Sequence, residues 1–258
     1  MPSENLKYKP LVEAILEVRW AVQRTPQGMA LDPHYKLLPG RLFDRISGEY
    51  PVHEELPTAG FPDEIIGQVV QHRFRVASNA WPLIQVGPGV FTVNETADYT
   101  WADFRARCVA AVASLFDAYP KREDLKVQRL MLRYIDAEDF DHSSLDCLGF
   151  LKEKMKIDVS LPAALFRDGV ESRPVSLNLH TSFASQSPKG TVNVRFATGQ
   201  REGKRVLLWE TMVQSASPDE LPVMPDAFQS WVDAAHGITH RWFMTLIDGE
   251  LKRKYSGV

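Results

Sequence analysis

The chain has 258 residues, 44% of them hydrophobic and 24% charged, which is the composition of a folded domain and excludes disorder. Thirty Lys plus Arg against 33 Asp plus Glu leave a net charge of −3, so the broad basic footprint of a nucleic-acid binder is missing and no nucleic-acid partner is expected. No apolar stretch approaches the roughly 20 residues of a membrane span, and two cysteines behind a start without basic or apolar leader character read as a reducing, cytoplasmic setting.

Residues 11–22 alternate, with Leu16, Val18, Trp20 and Val22 on one face and Glu17 and Arg19 on the other, which predicts a half-buried strand. A polar stretch holding Pro26, Gly28 and Pro33 follows. Leu38, Leu42, Phe43 and Ile46 then recur at helical spacing, predicting a helix that begins at Pro39. Residues 51–62 read as a Pro- and acid-rich loop with few core contacts. Short strands are expected at 73–77, 83–86 and 90–94, the last two joined by Gly87-Pro88-Gly89, as an antiparallel meander.

Thr100 and Asp103 have the spacing of a capping box. The helix they open carries Trp101, Phe104, Cys108, Val112, Leu115 and Tyr119 on its apolar face and stops at Pro120. A strand at 127–137 places Leu130, Leu132 and Tyr134 on one face and Arg129, Met131 and Arg133 on the other. The acidic run Asp136, Glu138, Asp139, Asp141 and Asp146 reads as a solvated loop that caps the next helix, 145–155, through Asp141 or Ser143. Strands at 175–183, 191–198 and 204–213 precede one long helix over 226–251.

The order strand, helix, three-strand meander, helix is thus written twice, and the opening strands share an echo, Val18-Arg19-Trp20 and Leu132-Arg133-Tyr134. The expectation is an α+β protein of two pseudo-repeats, 1–125 and 126–258, integrated into one unit. A mostly antiparallel sheet would carry long helices on one face in a saddle similar to the TATA-binding-protein fold.

Chemical signatures are sparse. On the last helix Asp233, His236 and His240 fall within about 60° of one another on a flank of the apolar stripe. Imidazoles at i and i+4 can share a metal that an Asp completes. Position 237 is Gly, however, where the zincin pattern has its general-base Glu. No nucleophile elbow or phosphate loop is found: Ser185 to Gly190 and Gly87-Pro88-Gly89 read as strand-connecting turns. No cofactor is expected. Trp81, in the turn Asn79-Ala80-Trp81-Pro82, would suit an interface as an exposed aromatic anchor. Candidate binding residues are Asn79 and Trp81, together with Tyr99 and Arg133.

Four segments carry a wider resemblance: Lys9-Pro10-Leu11-Val12-Glu13-Ala14-Ile15; Asn94 followed by Tyr99-Thr100-Trp101-Ala102-Asp103-Phe104; Leu132-Arg133-Tyr134-Ile135-Asp136; and Trp231-Val232-Asp233-Ala234-Ala235-His236. Together they resemble a family of uncharacterised prokaryotic proteins of similar length and sporadic distribution, whose pattern has Asn where this chain has Asp136. The resemblance implies no established activity or catalytic residues, and its distribution suggests defence-associated gene neighbourhoods. The expected function is a non-catalytic protein-interaction or regulatory module, an accessory to a prokaryotic defence system with a protein partner. The alternative is a metal-dependent hydrolase or nuclease using Asp233, His236 and His240.

Overall fold

Period-two burial in two long strands organises the molecule, whose computed structural model describes residues 6–24, 30–62, 67–96 and 98–258. In chain order the elements begin with β1 (Leu11–Trp20), β2 (Gln23–Arg24), β3 (Ala30–Leu31), α1 (Leu38–Ile46), β4 (Val52–Glu55), β5 (His72–Arg75), β6 (Leu83–Gly87), β7 (Val90–Glu95) and α2 (Trp101–Ala118). They continue with β8 (Val127–Asp139), α3 (Cys147–Met155), β9 (Asn178–Gln186), β10 (Lys189–Arg201), β11 (Lys204–Ser215), α4 (Phe228–Leu246) and α5 (Glu250–Ser256). The polar stretch at Pro26 and Gly28 lies outside the described residues.

β1 buries Ala14, Leu16, Val18 and Trp20 and turns Glu17 and Arg19 the other way; β8 buries Leu130, Leu132, Tyr134, Asp136 and Glu138. The two strands pair antiparallel with Leu16 opposite Leu132 and Val18 opposite Leu130, so both apolar rows lie on one face. Around this pair grows a nine-stranded antiparallel sheet in the order β4-β5-β6-β7-β1-β8-β11-β10-β9. Mixed helix and strand, with one large antiparallel sheet, is the architecture expected.

Two apolar clusters fill the space between sheet and helices. In the larger, Leu42 of α1, Phe104 and Leu115 of α2 and Val232 of α4 meet Leu16 and Val18. In the smaller, Leu151 of α3 and Leu251 of α5 meet Phe196 and Trp209. Helix α2 starts as its sequence dictates: the Thr100 hydroxyl accepts from the Asp103 backbone N–H at 3.2 Å.

Three expectations require correction. Residues 51–62 are not a plain loop: Val52–Glu55 forms edge strand β4, pairing with β5, and Pro57–Gly60 forms a 3-10 turn. The final helix is two, because Gly249 takes φ +111°, a conformation that side-chain-bearing residues resist, between α4 and α5. The acidic run is not a solvated loop throughout, since β8 continues to Asp139 and buries Asp136 and Glu138 in its own alternation. The cap of α3 is Asp146, which accepts from Leu148 N–H, and neither Asp141 nor Ser143.

Asp32 ties the rim of the larger cluster. Buried beside Trp20, it accepts from the indole Nε1–H at 2.8 Å and from the Tyr119 hydroxyl at 2.8 Å, and so links β1 to the end of α2. Replacing it with Ala strands two buried donors, so Asp32→Ala is expected to lose roughly 2–4 kcal/mol in urea unfolding, whereas Tyr119→Phe loses about 1 kcal/mol.

Candidate functional site

The polar residues of α4 meet those of α2 and β8 where the helices cross the sheet. Asp233 receives a two-point grip from Arg105 of α2, Nε to Oδ1 at 2.5 Å and Nη2 to Oδ2 at 2.7 Å. This fork geometry clamps α2 to α4 and engages both carboxylate oxygens. One turn on, the His236 ring lies flat on Trp101, with centroids 3.7 Å apart and planes 7° from parallel. Its Nδ1 is 3.0 Å from the Tyr134 hydroxyl, which in turn is 3.0 Å from the Tyr99 hydroxyl. The His240 ring follows at 5.4 Å from that of His236.

Tyr99, Tyr134 and His236 are held neutral. Burial raises both phenols above their usual range. Burial first, and the neighbouring His240 second, lower His236 to about 3. Next along the core face of β8 comes Asp136, 3% exposed. Burial pushes its carboxyl up to about 8, with no cation or hydrogen bond among the described residues offsetting it. The register sets Asp136 beside Trp209 and Tyr134 beside Thr211. Trp209 and Thr211 are 0% and 1% exposed, and neither the indole Nε1–H nor the Thr211 hydroxyl has a hydrogen-bond partner among the described residues. Tyr134 belongs to the larger apolar cluster and Trp209 to the smaller, so a seam of uncharged polar groups runs where the two clusters meet.

The structure therefore brings Tyr99 and His236 together through Tyr134 and gives two members of the expected metal set partners within the protein. Asp233 is committed to Arg105 and the Nδ1 of His236 to Tyr134. Among the described residues no group of three or more His, Cys, Asp or Glu is placed to hold a metal ion. Arg133 lies on the opposite face of the sheet from Tyr99, bonded to Glu210 at 2.5 Å. Trp81 is half-buried, with the Arg75 guanidinium 5.7 Å over its ring, while Asn79 is exposed at φ +56°. Arg75 is itself tied to Glu54 at 3.0 Å, which fixes the Trp81 turn against β4.

Sequence reasoning missed Arg105, Trp101 as a stacking partner, and Asp136. For Asp136 the signal was present: extending the Leu130, Leu132, Tyr134 row by two residues puts an acid on the core face.

The seam has a pH signature. Unfolded, Asp136 ionises near ~3.9, whereas folded it holds its proton to about 8. Between those values only the unfolded chain has released the proton, so Asp136 withdraws stability as pH rises from about 4 to about 8, by at most ~1.4 kcal/mol per unit. His236 acts on the other side: ionising near ~6.5 when unfolded and near 3 when folded, it withdraws stability as pH falls below about 6.5. In urea unfolding at several pH values, the stability of Asp136→Asn relative to the unsubstituted chain is expected to grow up to pH 8 and then level. A pH-independent difference would contradict a buried, protonated Asp136.

No protein-family model and no curated protein matches the chain. Among solved structures it is similar to the crystal structure of the di-domain ARO/CYC StfQ from the steffimycin biosynthetic pathway. The identity is 11% over 95% of this chain and 98% of that one, with a TM-score of 0.22, a likeness that carries no argument about fold or chemistry.

Proposed function

We propose that this protein is a non-catalytic interaction module that receives a protein partner along the free edge of β9. The observation that carries this reading is the character of that edge. β9 is the outermost strand of the sheet, and seven of its nine residues are exposed. Its sequence, Asn-Leu-His-Thr-Ser-Phe-Ala-Ser-Gln, contains no Lys, Arg, Asp, Glu or Pro. The opposite edge, β4, is four residues long and carries Glu54 and Glu55. Short, charged edges discourage strand addition, whereas a long uncharged one offers its unpaired N–H and C=O groups as a template. Phe183 on β9 is 51% exposed, and the preceding segment leaves Leu161, Leu165, Val170 and Val175 exposed as well. These side chains are suited to anchoring an added strand.

The metal-dependent hydrolase reading has less support, because Asp233 and His236 are already bonded to Arg105 and Tyr134. The resemblance of the four quoted segments suggests the setting, an accessory place in a prokaryotic defence system. We also read the chain as two pseudo-repeats, 1–125 and 126–258, in a saddle akin to the TATA-binding-protein fold. The register of the central pair supports this. Aligning Val18-Arg19-Trp20 on Leu132-Arg133-Tyr134 makes Glu17 and Met131 equivalent, and these two residues sit opposite each other, as residues on a two-fold axis between repeats must.

Tagged protein purified from its host is expected to carry a stoichiometric protein, and β9 amides in that complex to be protected from hydrogen exchange. Lysines at exposed β9 positions, Thr181→Lys with Ala184→Lys, should cut recovery of that protein at least about tenfold while leaving the unfolding transition in place. A partner retained in full by this variant, or turnover of a generic hydrolase substrate, would contradict the reading.

A further inference from the structure

The face of the sheet turned away from the helices has its own chemistry. On β1 and β8 it presents Glu13, Ile15, Glu17 and Arg19 beside Arg129, Met131, Arg133 and Ile135. Neither apolar cluster includes Ile15, Met131, Ile135 or the neighbouring Met212 of β11, so these residues are not packed under the helices.

Near one end of this strand pair the register sets Arg19 directly opposite Arg129, and like charges directly opposite each other disfavour strand pairing. Arg19 is offset by Glu17 at 2.5 Å and also donates to the Gln68 carbonyl at 3.3 Å. Arg129 makes no hydrogen bond or ion pair with any described residue, and its Nε–H is buried without a partner. Four residues along the same strand face, about 13 Å away, Arg133 gives Nη2 to Glu210 at 2.5 Å. Its Nε–H is likewise buried and unpartnered.

The Nε–H and the adjacent Nη–H of a guanidinium form the fork that takes a carboxylate or phosphate with two parallel hydrogen bonds. On Arg129 that fork is wholly uncommitted. Met131, half-exposed between the two arginines, supplies apolar contact for the body of a ligand, and of the acids on this face Glu17 is paired with Arg19, Glu210 with Arg133, and Glu13 accepts from Asn94.

We propose that this face holds an oxyanion site centred on Arg129, with Arg133 as a subsidiary donor. Its ligand is a small molecule bearing carboxylate or phosphate on an apolar frame. The site is independent of β9 and of any protein partner bound there.

The test uses the full chain with two probes, citrate and inorganic phosphate, against sodium chloride at matched ionic strength. At least one oxyanion should raise the melting temperature in a saturable way that chloride does not reproduce, and the responding probe identifies the group recognised. Arg129→Gln should weaken the response about tenfold or more, and Arg129→Lys, which keeps the charge but lacks the fork, nearly as much. Equal responses in the variants, or from chloride, would mean an adventitious ion only and overturn the site.

Because a mid-strand substitution can disturb folding, a second measurement needs no variant. Modification of the unsubstituted chain with phenylglyoxal, followed by peptide mass spectrometry, should be slowed several-fold at Arg129 by the responding probe and unchanged at exposed Arg201. Absence of protection at Arg129 would also overturn the proposal.

Discussion

The antiparallel pairing of β1 with β8 is the constraint on which the rest of the structure depends. Among the described residues it is the strand contact that joins β4 to β7 on one side with β9 to β11 on the other. Its register is over-determined. With Leu16 on Leu132 and Val18 on Leu130, the buried rows of the two strands set apolar side chains opposite each other. A slip of one residue would drive Glu17, Arg19 or Arg133 beneath the helices. Burying an unpaired charge costs far more than any single apolar contact returns, so the polar rows enforce the register as firmly as the apolar ones.

Most of this architecture was legible because it rests on local periodicity. Alternation around Leu16 and Leu132 and the spacing from Phe104 to Leu115 are properties of short windows, and the Thr100 cap is a property of four residues. What escaped depends on a single backbone angle or on separation along the chain. The break in the last helix turns on φ at Gly249, which interrupts an otherwise continuous apolar stripe. The Arg105–Asp233 grip spans 128 residues, and the Trp101–His236 stack is formed by equally distant elements. β4 was hidden because three of its four residues are polar and its strand identity comes from pairing with β5 rather than from its own pattern.

The candidate site was legible in composition and not in role. Asp233, His236 and His240 do share a helix flank, as their spacing required, but spacing is silent about what the neighbouring helix brings to that flank. Arg105 supplies a cation to the carboxylate and Trp101 a flat apolar surface to the imidazole. A set that looks ready for a metal on one helix becomes, against a second helix, a means of holding two helices at a fixed crossing. His236 stays neutral because Trp101 and Tyr134 keep water from it, and a neutral imidazole is what a buried chain of phenols can accommodate.

The period of two then divides the molecule's chemistry between two faces. On the helix side the polar groups are absorbed into structure: Asp32 by Trp20 and Tyr119, Asp233 by Arg105, and Glu138 by Lys254 and Tyr255. The exceptions there, among them Trp209, Thr211, Tyr50 and Trp231, are almost wholly buried. On the other side, unused bonding capacity remains in the partly buried guanidinium of Arg129 and in the outer backbone of β9. A side chain on β1 or β8 cannot serve both faces, so the alternation that builds the core also decides which residues remain free for recognition. The two proposed binding surfaces accordingly use the sheet's far face and outer edge, away from the helix flank that carries Asp233 and His236.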